Sequence, residues 1–477
     1  MRLLSVNWVR FTILLLLGLL LFFGFTLWKQ SLAPAPASPA LSAPLPQDAL
    51  IQAYFNHAQS ASYTEPYRHQ QRLGDDLEAV VVKAIATARS SIQVAVHELN
   101  LPHVAQALAE RQKAGVQVRV IVENIYSRPM SSITPQEVAA MEPRDRRKYQ
   151  EFVQLADQNQ NGSLETAEIA AGDTLVIFKN AGIPVIDDTA DGSKGSSLMH
   201  HKFLVIDQQI VIIGSANLTL SDVHGDFLSP ASQGNANHLL KISSFALAKH
   251  FAAEFELMWG DGVGGKPDSK FGLDKPYRSP KLISLAQGST ITVQFSPTSS
   301  RLPWQKSVNG LIARILNHAV RTIDLALFVF SDQTISNVLE TKRGVEIKVL
   351  IEPQFAYREY SEGLDVMGVA LLSDRCRYEA DNRPWRKPIS TAGIPALPEG
   401  DLLHHKIGII DEHIVITGSQ NWSEAANRSN DENLLVIDNR TVAAHFQQEF
   451  DRLYQSAILG VPSTLQQKIQ KQRSRCR

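Results

Sequence analysis

Residues 200–207 read HHKFLVID and are followed by GSAN at 214–217, while residues 404–411 read HHKIGIID and are followed by GSQN at 418–421. Both stretches fit His-x-Lys, four residues, Asp, six residues and Gly-Ser-x-Asn. A single His-x-Lys is common on ordinary strands, whereas two complete matches in one chain are far beyond chance. The repeat therefore predicts two related halves, each contributing one motif to a shared site.

Strand parity selects one histidine from each doublet. The apolar stretch after each lysine is typical of a strand, in which successive side chains point to opposite faces. His200 and Lys202 then share one face, and His201 lies on the other. The same parity pairs His404 with Lys406. We therefore expect the second histidine of each doublet to be a packing residue.

Each motif is preceded by a predicted strand–helix–strand unit. The first unit is strand 91–99, helix 103–114 and strand 116–123, and the second is strand 322–330, helix 333–343 and strand 345–352. Such units favour parallel pairing with right-handed crossovers. The prediction is an α/β fold of two domains packed face to face with pseudo-twofold symmetry. Each domain would have a mixed, largely parallel sheet flanked by helices.

The spacing of the repeats predicts the domain boundaries and one insertion. Glu123 and Glu352 are 229 residues apart, but the two motifs are only 204 apart, so the first half holds about 25 extra residues. These fall within the insertion at about 131–172. The predicted domains span 49–265 and 280–462, and a basic tail covers 463–477.

The N-terminal segment predicts a membrane span. Residues 11–28 read FTILLLLGLLLFFGFTLW, an uncharged run close to the length that spans a bilayer. Segment 1–30 is then a transmembrane signal-anchor or a cleaved signal peptide, and 31–48 is a Pro/Ala-rich linker. The arginines at 2 and 10 place the N-terminus in the cytoplasm. We expect a membrane-anchored protein with extracytoplasmic (periplasmic or extracellular) catalytic domains, secreted if the segment is cleaved.

Composition narrows the function classes. The chain has 477 residues, 44% of them hydrophobic, and a formal net charge of −1, so no global basic field indicates nucleic acid. Its two cysteines, Cys376 and Cys476, lie far apart in sequence and suggest no disulfide framework or zinc site.

The twin motifs carry the groups that cleavage of a phosphodiester needs. Two histidines can serve as nucleophile and proton donor, because imidazole titrates near neutral pH. Two lysines and the amides of Asn217 and Asn421 can hold the phosphoryl oxygens. Each half has only one such histidine and lysine, so the complete site requires both halves.

These motifs resemble those of the phospholipase D superfamily. The resemblance implies that His200 is a nucleophile that forms a phosphohistidine, and that His404 is the general acid and later the base. It implies no metal cofactor for catalysis, and a catalytic set completed by Lys202, Lys406, and by Asp207 and Asp411 as supports of local structure. The implied substrate-binding residues are Asn217, Asn421, Ser215, Ser419 and Glu432.

The two halves differ at one acidic position. The family usually places an acid after Gly-Ser-x-Asn that orients a histidine, and Glu432 occupies this position in the second half. Asn237 stands there in the first half. The sequence therefore predicts that the two imidazoles are not equally polarised.

Residues 157–168, DQNQNGSLETAE, fit the EF-hand pattern D-x-[DN]-x-[DN]-G-x5-E. The expected oxygen ligands for Ca²⁺ are Asp157, Asn159, Asn161, Ser163 and Glu168. The alternative is a polar turn that binds nothing. Ca²⁺ would be structural or regulatory.

Two further groups of residues have ordinary interpretations. His97 lies on an apolar strand and is expected to be a core histidine with satisfied hydrogen bonds. A cationic run is expected on the exposed face of a helix and consists of Arg144, Arg146, Arg147 and Lys148.

The expected function is a phospholipase D-like phosphodiesterase that hydrolyses or transfers a phosphodiester, with a phospholipid as the favoured substrate because an anchor would hold the site near headgroups. A nuclease of the same superfamily is the alternative, and nucleic acid is then the substrate. A Ca²⁺-responsive surface binding protein is the second alternative. Both half-sites lie in one chain, so we expect a monomer.

Overall fold

The computed structural model describes residues 41–193 and 196–476. The predicted segment 1–30 and the first part of the 31–48 linker lie outside these residues. Within the described part of the chain, no helix combines the length and apolar character needed to cross a membrane. All elements named below belong to the unit Ala43–Arg477.

The first half contains one sheet and a separate hairpin. Its strands are β1 (Ile51–Phe55), β2 (Ser62–Thr64), β3 (Gln71–Leu73), β4 (Ser91–Val96), β5 (Gln117–Val122), β6 (Val185–Asp187), β7 (Lys202–Ile206), β8 (Ile210–Gly214) and β9 (His238–Ser243). The sheet order is β1-β9-β8-β7-β4-β5-β6, and β2 pairs with β3. β4–β5 and β5–β6 are parallel, and the other neighbours are antiparallel.

The helices of the first half are α1 (Leu77–Ala86), α2 (Pro102–Lys113), α3 (Pro135–Ala140), α4 (Pro143–Ala156), α5 (Thr166–Gly172), α6 (Thr174–Ala181), α7 (Leu220–Val223) and α8 (Phe245–Trp259). Helix α2 is the crossover between β4 and β5, and it begins with a proline, which needs no N–H partner in the first turn. Helix α3 begins with a capping box between Thr134 and Glu137. The predicted insertion thus contains α3, α4 and α5.

The second half repeats this plan. Its strands are β10 (Lys281–Ser284), β11 (Thr290–Phe295), β12 (Thr322–Leu327), β13 (Phe330–Ser331), β14 (Glu346–Ile351), β15 (Ala392–Ile394), β16 (Lys406–Ile410), β17 (Ile414–Gly418), β18 (Trp422–Ser423), β19 (Asn433–Asp438) and β20 (Ile458–Leu459). The main sheet has the order β10-β11-β19-β17-β16-β12-β14-β15-β20, and β13 pairs with β18. Its helices are α9 (Val308–His318), α10 (Gln333–Glu340), α11 (Pro353–Ala356), α12 (Glu362–Val366), α13 (Glu424–Arg428), α14 (Arg440–Gln455) and α15 (Ser463–Arg475).

The α/β class and the parallel strand pairs are confirmed, but the expectation of largely parallel sheets is wrong. β4 pairs in parallel with β5, and β12 with β14, as the strand–helix–strand units predict. Each motif strand, however, turns back at once into its neighbour, so β7–β8 and β16–β17 are antiparallel hairpins. A short turn permits no other pairing. The predicted domain boundaries stay a prediction.

A hydrophobic core joins the two halves. One cluster contains Phe203 and Phe251 from the first half together with Ile407 and Phe446 from the second. Two further clusters each draw on one half alone. Alternation along β7 explains this division, because Phe203 belongs to the shared cluster while Leu204 belongs to the first half's own cluster. Each sheet therefore packs one face against the other half.

The two cysteines form a disulfide, contrary to the expectation from their sequence separation. Cys376 and Cys476 are 100 residues apart in the chain, yet their Cα atoms lie 5.4 Å apart. Helix α15 folds back onto the loop before β15, where the Gln472 side chain exchanges two hydrogen bonds with the backbone of Leu372. This tertiary contact, which no local pattern announces, brings the two thiols together.

Candidate active site

His200 and His404 lie beside short backbone pairings that join the two halves. His200 N donates to Asp431 O over 2.9 Å, and His404 N donates to Ala236 O over 3.1 Å. Asp431 leads into β19 and Ala236 into β9, the strands that pair with the motif hairpins. Each histidine is thus held by the opposite half. Both motifs meet at one centre as a result.

The ring partners of the two histidines also come from the opposite half. His200 Nδ1 lies 2.7 Å from Glu432 Oε2. His404 Nδ1 lies 3.0 Å from Asn237 Oδ1, and Asp222 Oδ1 is 3.6 Å away from the same nitrogen. A carboxylate therefore faces each imidazole, although only one of them occupies the position that the sequence pattern predicts.

Asp222 is a site residue that the sequence interpretation missed. It lies on α7, which is capped by Thr219, and its Oδ2 accepts a hydrogen bond from Asn217 N over 2.7 Å. Its side chain is buried. The equivalent position in the second half is Ala426. The sequence does contain a signal for this residue. Asp222 follows the first Gly-Ser-x-Asn closely, and the same half has Asn237 at the position where the family has an acid.

Two buried ammonium groups lie near the imidazoles, and both of their charges act on each ring. Lys202 Nζ donates to His200 O over 3.0 Å, and Lys406 Nζ donates to His404 O over 2.7 Å. Among the described residues, neither lysine has a carboxylate within 4.0 Å. Two buried cations without an adjacent counter-ion are costly unless an anion binds between them. The arrangement is thus suited to an anion.

Burial dominates the protonation of these groups. It lowers the pKa of Lys202 to about 8, against the raising effect of Glu432. Burial and then the charge of Lys202 hold the pKa of Lys406 well below its usual range. Burial and the two lysines likewise hold the pKa of His200 and that of His404 well below their usual range. Both imidazoles are therefore neutral at neutral pH in the unliganded protein.

Glu432 has the opposite shift. Burial raises its pKa to about 7, although the charge of Lys202 acts to lower it. The carboxyl group facing His200 Nδ1 therefore changes its charge close to neutral pH, and the proton position on the imidazole changes with it.

The Gly-Ser-x-Asn residues divide into two groups. The side-chain oxygens Asn217 Oδ1 and Asn421 Oδ1 are buried acceptors without a hydrogen-bond partner among the described residues. The serines are fully buried and bonded inside the protein, with Ser215 Oγ donating to Asn237 Oδ1 and Ser419 Oγ accepting from the backbone of residue 433. The substrate-binding roles of all four residues stay predictions.

The motif aspartates lie at the far ends of the motif strands. Asp207 accepts hydrogen bonds from the backbone N–H groups of residues 89–91, and Asp411 from those of residues 320–322. Burial acts to raise the pKa of each carboxyl group, but these hydrogen bonds prevail and lower it. Four strand residues lie between each lysine and its aspartate, which places the two residues about 16 Å apart along the strand. Both aspartates support the strand connection and lie outside the reacting centre.

The second histidines are fully buried, as strand parity predicts. His201 Nε2 lies 3.6 Å from Glu254 Oε1 on α8, and His405 Nε2 lies 3.0 Å from Glu449 Oε1 on α14. Each of these imidazoles faces a helix of its own half and is directed away from the lysines.

A protein-family model described as "Cardiolipin synthase, PLD-like domain" matches residues 81–259 and 312–454, which include both motifs and more than half of the chain. The chain belongs to this PLD-like family. Its membership in the phospholipase D superfamily is thereby confirmed.

Curated relatives of this PLD-like chain are similar over one part of it. A mitochondrial cardiolipin hydrolase from Xenopus tropicalis is 29% identical over 161 residues, which cover 33% of this chain and 66% of the relative. A phospholipase D from Rickettsia felis is 28% identical over 141 residues, covering 29% and 60%. The matched segment is thus shorter than two thirds of each of these relatives.

A solved structure supports the PLD-like fold over nearly the whole chain. Phosphatidylserine synthase from Haemophilus influenzae Rd KW20 covers 90% of this chain and 94% of its own, with a TM-score of 0.51 and 12% identity. At this identity the likeness concerns the fold alone.

On the first-half side of the PLD-like centre, aromatic rings extend outward from His200. The His97 ring lies edge-on to the His200 ring at 5.0 Å between centroids, and the Tyr126 ring lies edge-on to His97 at 5.1 Å. We call these three residues the first ring ladder. His97 Nδ1 is buried and has no partner among the described residues, whereas the Asn217 side chain hydrogen-bonds to the His97 ring. The prediction of satisfied hydrogen bonds therefore holds for one part of the ring only.

On the second-half side, the corresponding ladder consists of His404, Phe328 and Phe355. Phe328 lies edge-on to His404 at 4.8 Å, and Phe355 lies edge-on to Phe328 at 4.8 Å. The outer rings of this ladder, Phe328 and Phe355, carry no hydrogen-bonding group. Those of the first ring ladder, His97 and Tyr126, do. The centre is therefore polar on one side and apolar on the other.

Lys148 of the insertion reaches the first ring ladder. Its Nζ lies 2.6 Å from Glu98 Oε2 and 3.3 Å from the Tyr126 hydroxyl. Glu98 follows His97 directly in the chain. The exposed helix face predicted for the cationic run is confirmed for the three arginines and wrong for Lys148, which is partly buried against the site.

The predicted calcium loop connects α4 to α5. Asp157 accepts hydrogen bonds from Asn161 N and Gly162 N, and Glu168 accepts from Asn159 N over 3.1 Å. Backbone N–H groups of the loop thus point towards the carboxylates of Asp157 and Glu168. Over the described ranges, no group of three or more His, Cys, Asp or Glu residues is placed to hold a metal. Asparagine oxygens would have to supply the remaining ligands.

Proposed function

We propose that this PLD-like chain cleaves phospholipids as a phosphodiesterase, through a phosphohistidine on His200. The observation that carries this proposal is the pair of buried lysines whose charges act on two neutral imidazoles, with no carboxylate at ion-pair distance from either lysine among the described residues. The site fits one negatively charged phosphodiester, with a base on one side and a proton donor on the other.

In the first step, His200 Nε2 attacks phosphorus while Nδ1–H donates to ionised Glu432. The N–P bond forms as the bond to the leaving oxygen breaks, and His404 gives a proton to that oxygen. The bound phosphodiester supplies negative charge beside His404, which favours the protonated imidazole that the unliganded site disfavours. The two lysines balance the charge on the phosphoryl oxygens.

In the second step, His404 accepts a proton from water while the water oxygen attacks phosphorus. The N–P bond breaks and its electron pair returns to His200, so both imidazoles recover their starting state. An alcohol in place of water would give transfer. Every step uses side chains of this chain alone, and no metal cofactor is required for catalysis.

The choice of phospholipid rests on the relatives, whose names are cardiolipin hydrolase and phospholipase D. One chain supplies both half-sites, so a monomer is sufficient. The apolar run at 11–28 supports membrane anchoring, and the disulfide suits the oxidising, extracytoplasmic location that we propose.

The test uses the full chain in detergent micelles, assayed on phosphatidylcholine, cardiolipin, single-stranded DNA and bis(p-nitrophenyl) phosphate. His200→Ala and His404→Ala should each reduce phospholipid turnover by about 10³-fold or more. His318→Ala, on the exposed end of α9, is the control and should keep full activity.

Three results would contradict the proposal in different ways. Full activity in either catalytic variant would exclude the histidine mechanism. DNA cleavage without phospholipid turnover would make the protein a nuclease. A folded protein without turnover on any of the four substrates would leave a surface binding protein.

We also propose that residues 157–168 bind one Ca²⁺ in a structural or regulatory role. Asp157 and Glu168 supply the two charges, and side-chain oxygens of Asn159, Asn161 and Ser163 complete the set. Because few ligands are charged, the affinity should resemble that of extracellular calcium modules, with Kd on the order of 10⁻⁴–10⁻³ M. The loop is continuous with α4, which carries Lys148 to the first ring ladder.

A further inference from the structure

An apolar pocket of about 390 Å³ lies at the outer end of the first ring ladder. Six of its twelve lining side chains are aliphatic or thioether, namely Ile125, Met130, Ile133, Ala140, Met141 and Leu175, and Tyr126 adds one aromatic ring. A concave, mostly apolar site with a few polar groups at its edge is the usual form of a pocket for a small molecule or a ligand chain.

The insertion contributes one part of this pocket. Eleven of the twelve lining residues come from the connection between β5 and β6. Four of these eleven belong to the insertion at 131–172, namely Ile133, Glu137, Ala140 and Met141. Leu175 lies on α6, directly after the calcium-type loop and α5. The extra residues of the first half therefore form a wall next to the catalytic centre.

Tyr126 connects the pocket to the reacting groups. Its ring lines the pocket and contacts His97 at 5.1 Å, and His97 contacts the catalytic His200 at 5.0 Å. Near the same tyrosine lies the ammonium group of Lys148, 3.3 Å from the hydroxyl oxygen. A ligand that fills the pocket therefore has its polar end towards the phosphate site.

The lining chemistry distinguishes an alkyl chain from a nucleobase. A base is held by stacking on aromatic faces and by hydrogen bonds, whereas this lining has one aromatic side chain, Tyr126, and its other apolar side chains are aliphatic or thioether. The charged lining residues have partners within the protein, since Arg128 and Glu137 pair over 2.6 Å. Asp173, the third charged lining residue, accepts backbone hydrogen bonds from Ser131 and Leu175. Ile125 is 69% exposed beside the pocket, which places an apolar group where an incoming chain would meet it.

We propose that this pocket holds an acyl chain of the phospholipid whose phosphate lies between His200 and His404. The proposal rests on the proposed function and adds to it the part of the substrate that the insertion recognises. Burial of methylene groups in the pocket would provide binding energy that a phosphodiester without acyl chains cannot obtain.

The matched variants are Ala140→Trp and Ala139→Trp. Both alanines are exposed on α3, but only Ala140 lines the pocket, so a tryptophan there fills it without entering the core. We expect Ala140→Trp to lower the ratio of kcat/KM for a long-chain phosphatidylcholine to that for bis(p-nitrophenyl) phosphate by about tenfold or more. Ala139→Trp should leave the ratio unchanged.

A phosphatidylcholine with a photoreactive group at the end of an acyl chain gives a second measurement that needs no variant. Crosslinking should label peptides within residues 125–141 of the wild-type chain. An unchanged ratio in Ala140→Trp, or labelling confined to other segments, would overturn the inference while phospholipid turnover upholds the proposed function. Turnover of bis(p-nitrophenyl) phosphate without phospholipid turnover would overturn both.

Discussion

Glu432 Oε2 lies 2.7 Å from His200 Nδ1, so the acid that orients the first-half imidazole belongs to the second half. In the reverse direction, Asn237 and Asp222 of the first half face His404. Neither half can therefore position its own histidine. The two motifs form one site because each half supplies the ring partner of the other.

The charge of Glu432 should control the acid side of the pH profile. Burial raises its pKa to about 7, so the carboxylate is lost as pH falls through that value. A protonated Glu432 donates to Nδ1 and leaves the proton of His200 on Nε2, which then cannot attack. We expect kcat/KM for bis(p-nitrophenyl) phosphate to fall about tenfold per pH unit below about 7.

Glu432→Gln tests whether this carboxyl group causes the fall in kcat/KM below pH 7, the acid limb of the profile. It should be about 10²-fold slower than wild type at its optimum and should lack the limb near pH 7. The alkaline limb should remain, because burial lowers the pKa of Lys202 to about 8 and its ammonium is lost as pH rises through that value. An unchanged acid limb in this variant would contradict the assignment.

Asp222 should act as the substitute for the acid missing at position 237. Asp222→Asn removes the charge 3.6 Å from His404 Nδ1, and we expect kcat for a phospholipid to fall by about 10–10²-fold with little change in KM. The double variant Asp222→Asn/Asn237→Asp places a carboxylate at the family position, 3.0 Å from the ring, and should recover most of the loss. Full activity in Asp222→Asn would show that the carboxylate is dispensable.

The disulfide should stabilise the fold around α15. Because Cys376 and Cys476 close a loop of about 100 residues, Cys376→Ser should lower the free energy of unfolding by about 2–4 kcal/mol. Dithiothreitol should lower the Tm of the wild type but not that of Cys376→Ser/Cys476→Ser. Equal Tm values for oxidised and reduced wild type would contradict this expectation.

Calcium should stabilise the protein through Glu168. At about 10 mM Ca²⁺ the proposed affinity gives about 1–3 kcal/mol of stabilisation, measured as a rise in Tm. Glu168→Gln keeps the capping bond to residue 165 but removes the charge, and should abolish the rise. Glu142→Gln, at the exposed start of α4, is the control. The same rise in Glu168→Gln would place the ion elsewhere.

Local patterns were sufficient for part of this structure. Period-two alternation separated His200 from His201, and strand–helix–strand units predicted the parallel pairs β4–β5 and β12–β14. Both signals operate over a few neighbouring residues. The antiparallel hairpins of the motifs also follow from the short turn after Asp207, because such a turn permits only antiparallel pairing.

The remaining features depend on how distant segments dock. Asp222 meets His404 across the two halves, and the disulfide forms because α15 returns to the loop before β15. His97 meets His200 only because β4 and β7 are neighbours. None of these contacts produces a periodic pattern in the sequence, so a single sequence does not predict them.

The covalent intermediate tests the central claim most directly. In a His404→Asn variant, bis(p-nitrophenyl) phosphate should still react with His200, because nitrophenolate leaves without a proton, while loss of the base slows release of the adduct. Mass spectrometry of the quenched protein should find the nitrophenylphosphoryl group on the peptide that contains His200. Turnover without an adduct, or an adduct on any other residue, would contradict the account.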